Sequence, residues 1–335
     1  MAERCFLLRT LIGEIGSCPR LLWLAAAVGC TDAPSLGSIP LDTRAPNAHG
    51  VVLGAVAPAP EDLPPDAVLH LAYAPVATDL EPEAWQPLVD HLVRRLGILV
   101  QPVPYDSYEE IVDAVAHNEV ELALLAPLSY VLAKDAEPGL EPLVQTLSDG
   151  KTSYSSYLFV ERGSPYHSVE DLRGTRVAFV DERSTSGFLL PYAQLLDAGI
   201  SPELDLAELI FTGDHVGTLR AVAFGHADAA ASYADVLPWA SETALEEGWE
   251  MPALRLLGNA GRIPLDVLCA APGVGESVKT TLRDELLRAN TSSPAGQAFF
   301  ISSTRIVGWA ETSDAQYDGV REVHQRVQQH RAGLP

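Results

Sequence analysis

Residues 181–191 read DERSTSGFLLP, and the fold turns on what precedes and follows them. The residues at 177–180 are apolar and those after Gly187 have helical spacing, so the segment reads as strand, short loop and helix start. One Ser or Thr is enough to cap a helix, yet Ser184, Thr185 and Ser186 offer three hydroxyls in a row. The first N–H groups of a helix are unpaired and together carry roughly +0.5 charge. Hydroxyls beside them add donors without adding a cation, which is the chemistry of an oxyanion site. Gly187 is expected to let a ligand oxygen approach the backbone closely. The competing reading is a Ser-rich helix cap.

Outward from this segment the chain alternates strand and helix. VLHLAY at 68–73 reads as a strand, and the segment EPEAWQPLVDHLVRRLG as a helix with Trp85, Leu88, Leu92 and Leu96 near one face. ILVQPVPY is a second strand, SYEEIVDAVAHN a helix and VELALLAP a third strand. That order predicts a parallel sheet. DAVAHNEVELALLA at 113–126 is paralleled by RAVAFGHADAAASY at 220–233, each after a helix start, at Ser107-Tyr108 and Asp214-His215. The half-repeat predicts two related lobes. YSSYLFV from Tyr154 reads as a strand entering the second lobe, with SVEDLRG after it a short helix capped by Ser168. IPLDVLCAA at 263–271 reads as the returning strand, and the C-terminal residues as helices completing the first lobe. Two crossings make a hinge, and ligands commonly sit in clefts between domains.

Composition restricts the function. The 335 residues suit two lobes, and a formal charge of −23 excludes nucleic-acid binding by bulk electrostatics. Any anion is bound by local dipoles and hydrogen bonds against the protein's own field. Arg4, Arg9 and Arg20 precede the apolar run LLWLAAAVG, which stops at Cys30. The run is shorter than the roughly 20 residues that span a bilayer and fits a secretory signal. AAVGC resembles a bacterial lipobox, with Cys30 as the lipidated residue. Cleavage there removes Cys5 and Cys18 and leaves Cys269 as the only unmodified thiol, so no internal disulfide forms; the sequence has no CxxC metal pattern. The Pro- and Ala-rich residues 31–67 read as a tether.

The body also resembles the phosphonate-, phosphite- and phosphate-binding proteins of ABC transporters. The likeness runs in order through WQPLVDHLVRRLG, YEEIVDAV, LALLAPLSYVLAK, DLRGTRVAFVDERSTSGFLLP, GDHVGTLRAV, HADAAASYADVL, IPLDVL and VGWAETSDAQYD. The resemblance implies a type II bilobal periplasmic-binding-protein fold, with 68–155 and 264–335 as lobe one, 156–263 as lobe two and a two-strand hinge between them. It implies that an anionic head sits on Ser184, Thr185 and Ser186, helped by His215, Tyr108 and Tyr154. Asp235 and Asp266 stand where aminoalkylphosphonate binders place carboxylates for a substrate amine. Either carboxylate can instead accept a hydrogen bond from a protonated phosphorus oxyanion.

The reading is therefore a monomeric, lipid-anchored substrate-binding protein of the periplasm or cell envelope, with an ABC permease as partner and no cofactor or metal. A ligand sensor built on the same fold is the alternative. A hydrolase is disfavoured because the chain has no G-x-S-x-G elbow.

Overall fold

The structure is a computed structural model that describes residues 67–74, 82–300 and 306–335. The expected signal peptide, Cys30 and the tether through residue 66 lie outside the described residues. The first strand, β1 (Val68–Tyr73), is followed by a helical turn and α1 (Gln86–Leu96), then by β2 (Leu99–Pro104). Trp85, Leu88, Leu92 and Leu96 are all buried, each aliphatic one contributing roughly 1.5–3 kcal/mol. The Trp85 ring lies 5.0 Å from Tyr73 and 5.1 Å from Phe299, which fixes α1 between the sheet and α8 (Pro294–Phe300). Gly97 ends α1 at φ 70°, a left-handed conformation that glycine adopts without penalty.

Next come α2 (Tyr108–Ala116), β3 (Leu122–Leu125), α3 (Pro127–Ala136) and β4 (Glu141–Leu147). All four residues of β3 are buried, as expected of a strand covered on both faces. The chain then enters a second sheet through β5 (Ser153–Glu161) and β6 (Arg176–Phe179). A π-helical turn (Thr185–Leu189) runs directly into α4 (Leu190–Asp197). β7 (Glu208–Phe211), α5 (His215–Ala223), β8 (Ala229–Tyr233), α6 (Val236–Glu247) and β9 (Leu254–Pro264) complete this part. The return passes through β10 (Val267–Ala270), α7 (Glu276–Arg288), α8, β11 (Gly308–Ala310) and α9 (Asp318–Ala332).

The first sheet has the order β11-β4-β10-β3-β1-β2 and the second β7-β6-β8-β5-β9. β1 pairs in parallel with β2 and β3, and β6 in parallel with β7 and β8. β10 and β5 then add antiparallel to β3 and β8. Read outward, β2-β1-β3-β10-β4 and β7-β6-β8-β5-β9 are the same construction made twice. The helix starts behave alike: the Ser107 side chain accepts from the Glu110 N–H and that of Asp214 from the Gly217 N–H. Strands β5 and β9 pair beside both crossings, with Tyr154 opposite Ile263 and Ser153 opposite Pro264.

Three local expectations are corrected. The returning strand is two strands, β9 and β10, broken at Leu265 and Asp266. Ser168 caps nothing; the carboxylate of Asp171 reaches back to the N–H groups of His167 and Ser168 at 2.8 and 2.9 Å. The C-terminal helix does not belong to one lobe. Near its start, Tyr317 packs on Tyr130 of α3 at 4.6 Å. Its far end reaches the second lobe, through Arg326 to Asp197 and Arg331 to Glu182, both at 2.8 Å.

Candidate ligand-binding site

Seven of the eight residues singled out by sequence line one enclosed cavity: Tyr108, Tyr154, Ser184, Thr185, Ser186, His215 and Asp266. Ala126 and Tyr233 complete the lining. The eighth, Asp235, does not reach this cavity. It is exposed at the start of α6 and lines an outer pocket of about 600 Å³ with Tyr157, Trp239, Glu242 and Arg262. Tyr154 borders both spaces.

The repeated architecture explains why these residues meet. Ligand sites in open α/β sheets gather beyond the carboxyl ends of parallel strands. Tyr108 and His215 are each the first residue of the corresponding helix, α2 in one lobe and α5 in the other. Ala126 precedes α3, and Ser184 precedes the π-helical turn that leads into α4. Four helix N-termini thus converge on one cavity whose lining, among the described residues, has no lysine or arginine. Their aligned peptide dipoles supply positive potential without a formal charge.

The three hydroxyls act differently. Ser184 caps its own helix, accepting from the Gly187 N–H at 3.0 Å. Thr185 accepts the Leu128 N–H of the other lobe at 2.8 Å. The Ser186 hydroxyl receives the Tyr154 phenol at 3.4 Å, while its carbonyl accepts from Ser156 at 2.7 Å. All three are nearly inaccessible to solvent. Gly187 has a different purpose from the one expected. A Cβ there would meet Val180 side-chain atoms at 2.3 and 2.6 Å, so the glycine serves the packing of the turn on the end of the preceding strand.

Around the hydroxyls stands an aromatic wall. The His215 ring meets Tyr233 edge-on at 4.6 Å, and Tyr233 meets Tyr154 edge-on at 5.8 Å. His215 Nδ1 lies 2.9 Å from the Ser232 hydroxyl. With Ser232 donating to Nδ1, the neutral ring carries its proton on Nε2; with the ring charged, Ser232 accepts instead. Burial, reinforced by the negative charge of Asp266, pushes the Tyr108 phenol well above its ordinary pKa, so it stays a hydrogen-bond donor. Asp266 is buried and, among the described residues, is the only carboxylate in the lining.

Tyr233, with the second-layer Ser156 and Ser232, escaped the sequence reading. Tyr233 closes the small-residue strand AAASY of the half-repeat, and that position was the signal available. Ser156 and Ser232 carried none, because a buried serine in a strand looks like packing.

The family model described as "ABC transporter, phosphonate, periplasmic substrate-binding protein" matches residues 71–317. The chain belongs to this family. It is a substrate-binding transport protein and not an enzyme. It is 29% identical over 280 residues to the phosphate-import protein PhnD of Mycolicibacterium smegmatis, covering 78% of this chain and 86% of that one. PhnD1 of Prochlorococcus marinus, solved in complex with methylphosphonate, shares the fold with a TM-score of 0.63 at 20% identity, over 79% of this chain and 99% of that one. The fold is the type II bilobal one. A shorter match, 32% identical over 137 residues, joins 38% of this chain to 22% of the tetrathionate sensor histidine kinase TtrS of Salmonella typhimurium.

Proposed function

We propose that the protein closes its two lobes on the head of a phosphorus oxyanion and delivers it to an ABC permease in the cell envelope. The observation that carries this reading is the convergence of four helix N-termini, three hydroxyls and one buried carboxylate on a cavity that, among the described residues, is lined by no lysine or arginine. Hydroxyls, His215 and Tyr108 donate to the anionic oxygens. Asp266 is repelled by a fully ionised head but accepts a hydrogen bond from one that keeps a proton. Phosphate, phosphite and phosphonates carry such a proton near neutral pH; sulfate and sulfonates do not. The cavity measures about 10 Å³, room for about one water. A phosphorus atom and its oxygens need more, so the lobes part to admit the head and settle on it. Any substituent extends past Tyr154 into the outer pocket, where Asp235 meets an amine.

Calorimetry with phosphate, phosphite, methylphosphonate, 2-aminoethylphosphonate and sulfate tests the assignment. Binding of at least one phosphorus ligand with no binding of sulfate is expected. Asp235→Asn should weaken 2-aminoethylphosphonate alone, and Asp266→Asn every protonated head. The match to a tetrathionate sensor favours a second reading, a receptor that reports its ligand to a signalling partner. Binding of tetrathionate with none of the phosphorus ligands would establish that one instead.

The anchor belongs to the same proposal. The small-residue run ending at Cys30 supports lipidation, so Cys30→Ala should release the protein from membranes or leave it unprocessed. Fractionation and migration identical to the wild type would rule the anchor out.

A further inference from the structure

Helix α3 begins without a cap of its own. Ala126 has no side chain that can accept, and Pro127 has no N–H. The first N–H that needs a partner is that of Leu128, and it finds one 57 residues away, on the other lobe, in Thr185 Oγ1 at 2.8 Å. Thr185 lies before α4 in the second sheet's lobe, α3 after β3 in the first. The bond exists only while the lobes are together. When they part, the Leu128 N–H turns to water.

The same hydroxyl has a proton to give. A threonine hydroxyl offers one donor and two lone pairs. Its oxygen receives Leu128, and among the described residues no group accepts its proton. The side chain lines the cavity, so a ligand oxygen is the acceptor that geometry provides. Donating to an anion makes the hydroxyl oxygen more negative and a better acceptor for the Leu128 N–H. The positive end of α3 is likewise transmitted to the ligand through this one oxygen.

We propose that Thr185 couples anion binding to lobe closure, as a relay from the Leu128 N–H through the hydroxyl to the ligand. The proposal rests on the reading of the cavity as an anion site. Other contacts across the cleft lack this double role. Arg183 pairs with Glu109 at 2.6 Å outside the cavity lining, so the strength of that pair does not depend on the ligand. Ser186 lines the cavity, but its hydroxyl partner is Tyr154, on the crossing strand, and not a group on the opposite lobe. A ligand shifts an equilibrium only by its differential affinity for the two states, and Thr185 is where that difference is made.

The test separates affinity from closure. Binding of inorganic phosphate and methylphosphonate is measured by calorimetry, and closure by the radius of gyration in solution scattering, free and at saturating ligand. Thr185→Val removes both halves of the relay and leaves Leu128 N–H orphaned in the closed state only. It should bind about ten- to a hundredfold more weakly and, when saturated, contract less than the wild type. Thr185→Ser should restore both readouts. Ser186→Ala should lose affinity yet contract fully at saturation. A saturated Thr185→Val protein that contracts as fully as the wild type overturns the proposal and leaves Thr185 as one donor among several. A wild type that neither binds nor contracts with either probe overturns the anion reading itself, and the relay with it.

Discussion

Gly187 N–H donates to Ser184 Oγ at 3.0 Å, and that single bond separates Ser184 from the two hydroxyls beside it. Removing it leaves an uncapped helix start in both the open and the closed protein, at a cost of about 1 kcal/mol. Ser186 makes no such bond to its own helix; its backbone carbonyl is held by Ser156, and substitution of its side chain leaves that intact. Ser184→Ala should therefore lower thermal stability without ligand and also weaken phosphate binding. Ser186→Ala should weaken binding by about tenfold or more with the melting temperature unchanged. Thermal melts of the two variants beside calorimetry check this. If both bind as tightly as the wild type, the SerThrSer segment is a helix cap and nothing more. The three hydroxyls were visible in the sequence as a surplus. Which one caps was not, because the capping partner depends on the wide π-helical turn, in which the Leu189 N–H reaches back to the Ser184 carbonyl at 3.0 Å.

At the scale of elements, what could be read from the sequence was whatever follows from local periodicity. The α1 face, the buried β3 run and the half-repeat all express rules that act over a few residues, and each stands in the fold. The half-repeat gave more than topology. It put Tyr108 and His215 at matching helix starts, the positions from which each lobe reaches the cavity. Expectations gave way where the deciding partner is distant in sequence. β11 is three residues long and is a strand because Gly308, Trp309 and Ala310 pair with Leu147, Thr146 and Gln145 of β4; no three-residue pattern announces that. Helix α9 reads as an ordinary amphipathic helix, and only tertiary packing makes it a strap over both lobes. Arg321 lies over the Tyr130 ring at 6.0 Å on the first, while His330 meets Ser201 at 2.9 Å on the second. Asp235 illustrates the reverse case. It lies within the stretch that resembles the family, yet it is exposed at the start of α6 and lines the outer pocket, not the enclosed cavity.

For the whole molecule the relevant quantity is the charge of −23. An anionic ligand approaches through a repulsive field that extends over a Debye length, about 30 Å at 0.01 M ionic strength and about 10 Å at 0.1 M. Its attraction is confined to the enclosed cavity, where donors and helix ends act over a few ångströms and mobile ions do not enter. Encounter and retention therefore respond differently to salt. Screening the surface removes repulsion on the way in and leaves the bonds that govern release. The association rate for methylphosphonate should rise about two- to tenfold between 10 and 150 mM ionic strength, with the dissociation rate nearly constant. The dependence is opposite in sign to that of a protein that steers anions with a basic surface. Stopped-flow mixing measures both rates, with sodium gluconate as the salt because its bulky anion is a poor competitor for so small a cavity. An association rate that falls with added salt would mean that local positive potential at the entrance outweighs the net charge. The exposed Lys151 and Arg262 of the outer pocket would then be the groups that guide the ligand in.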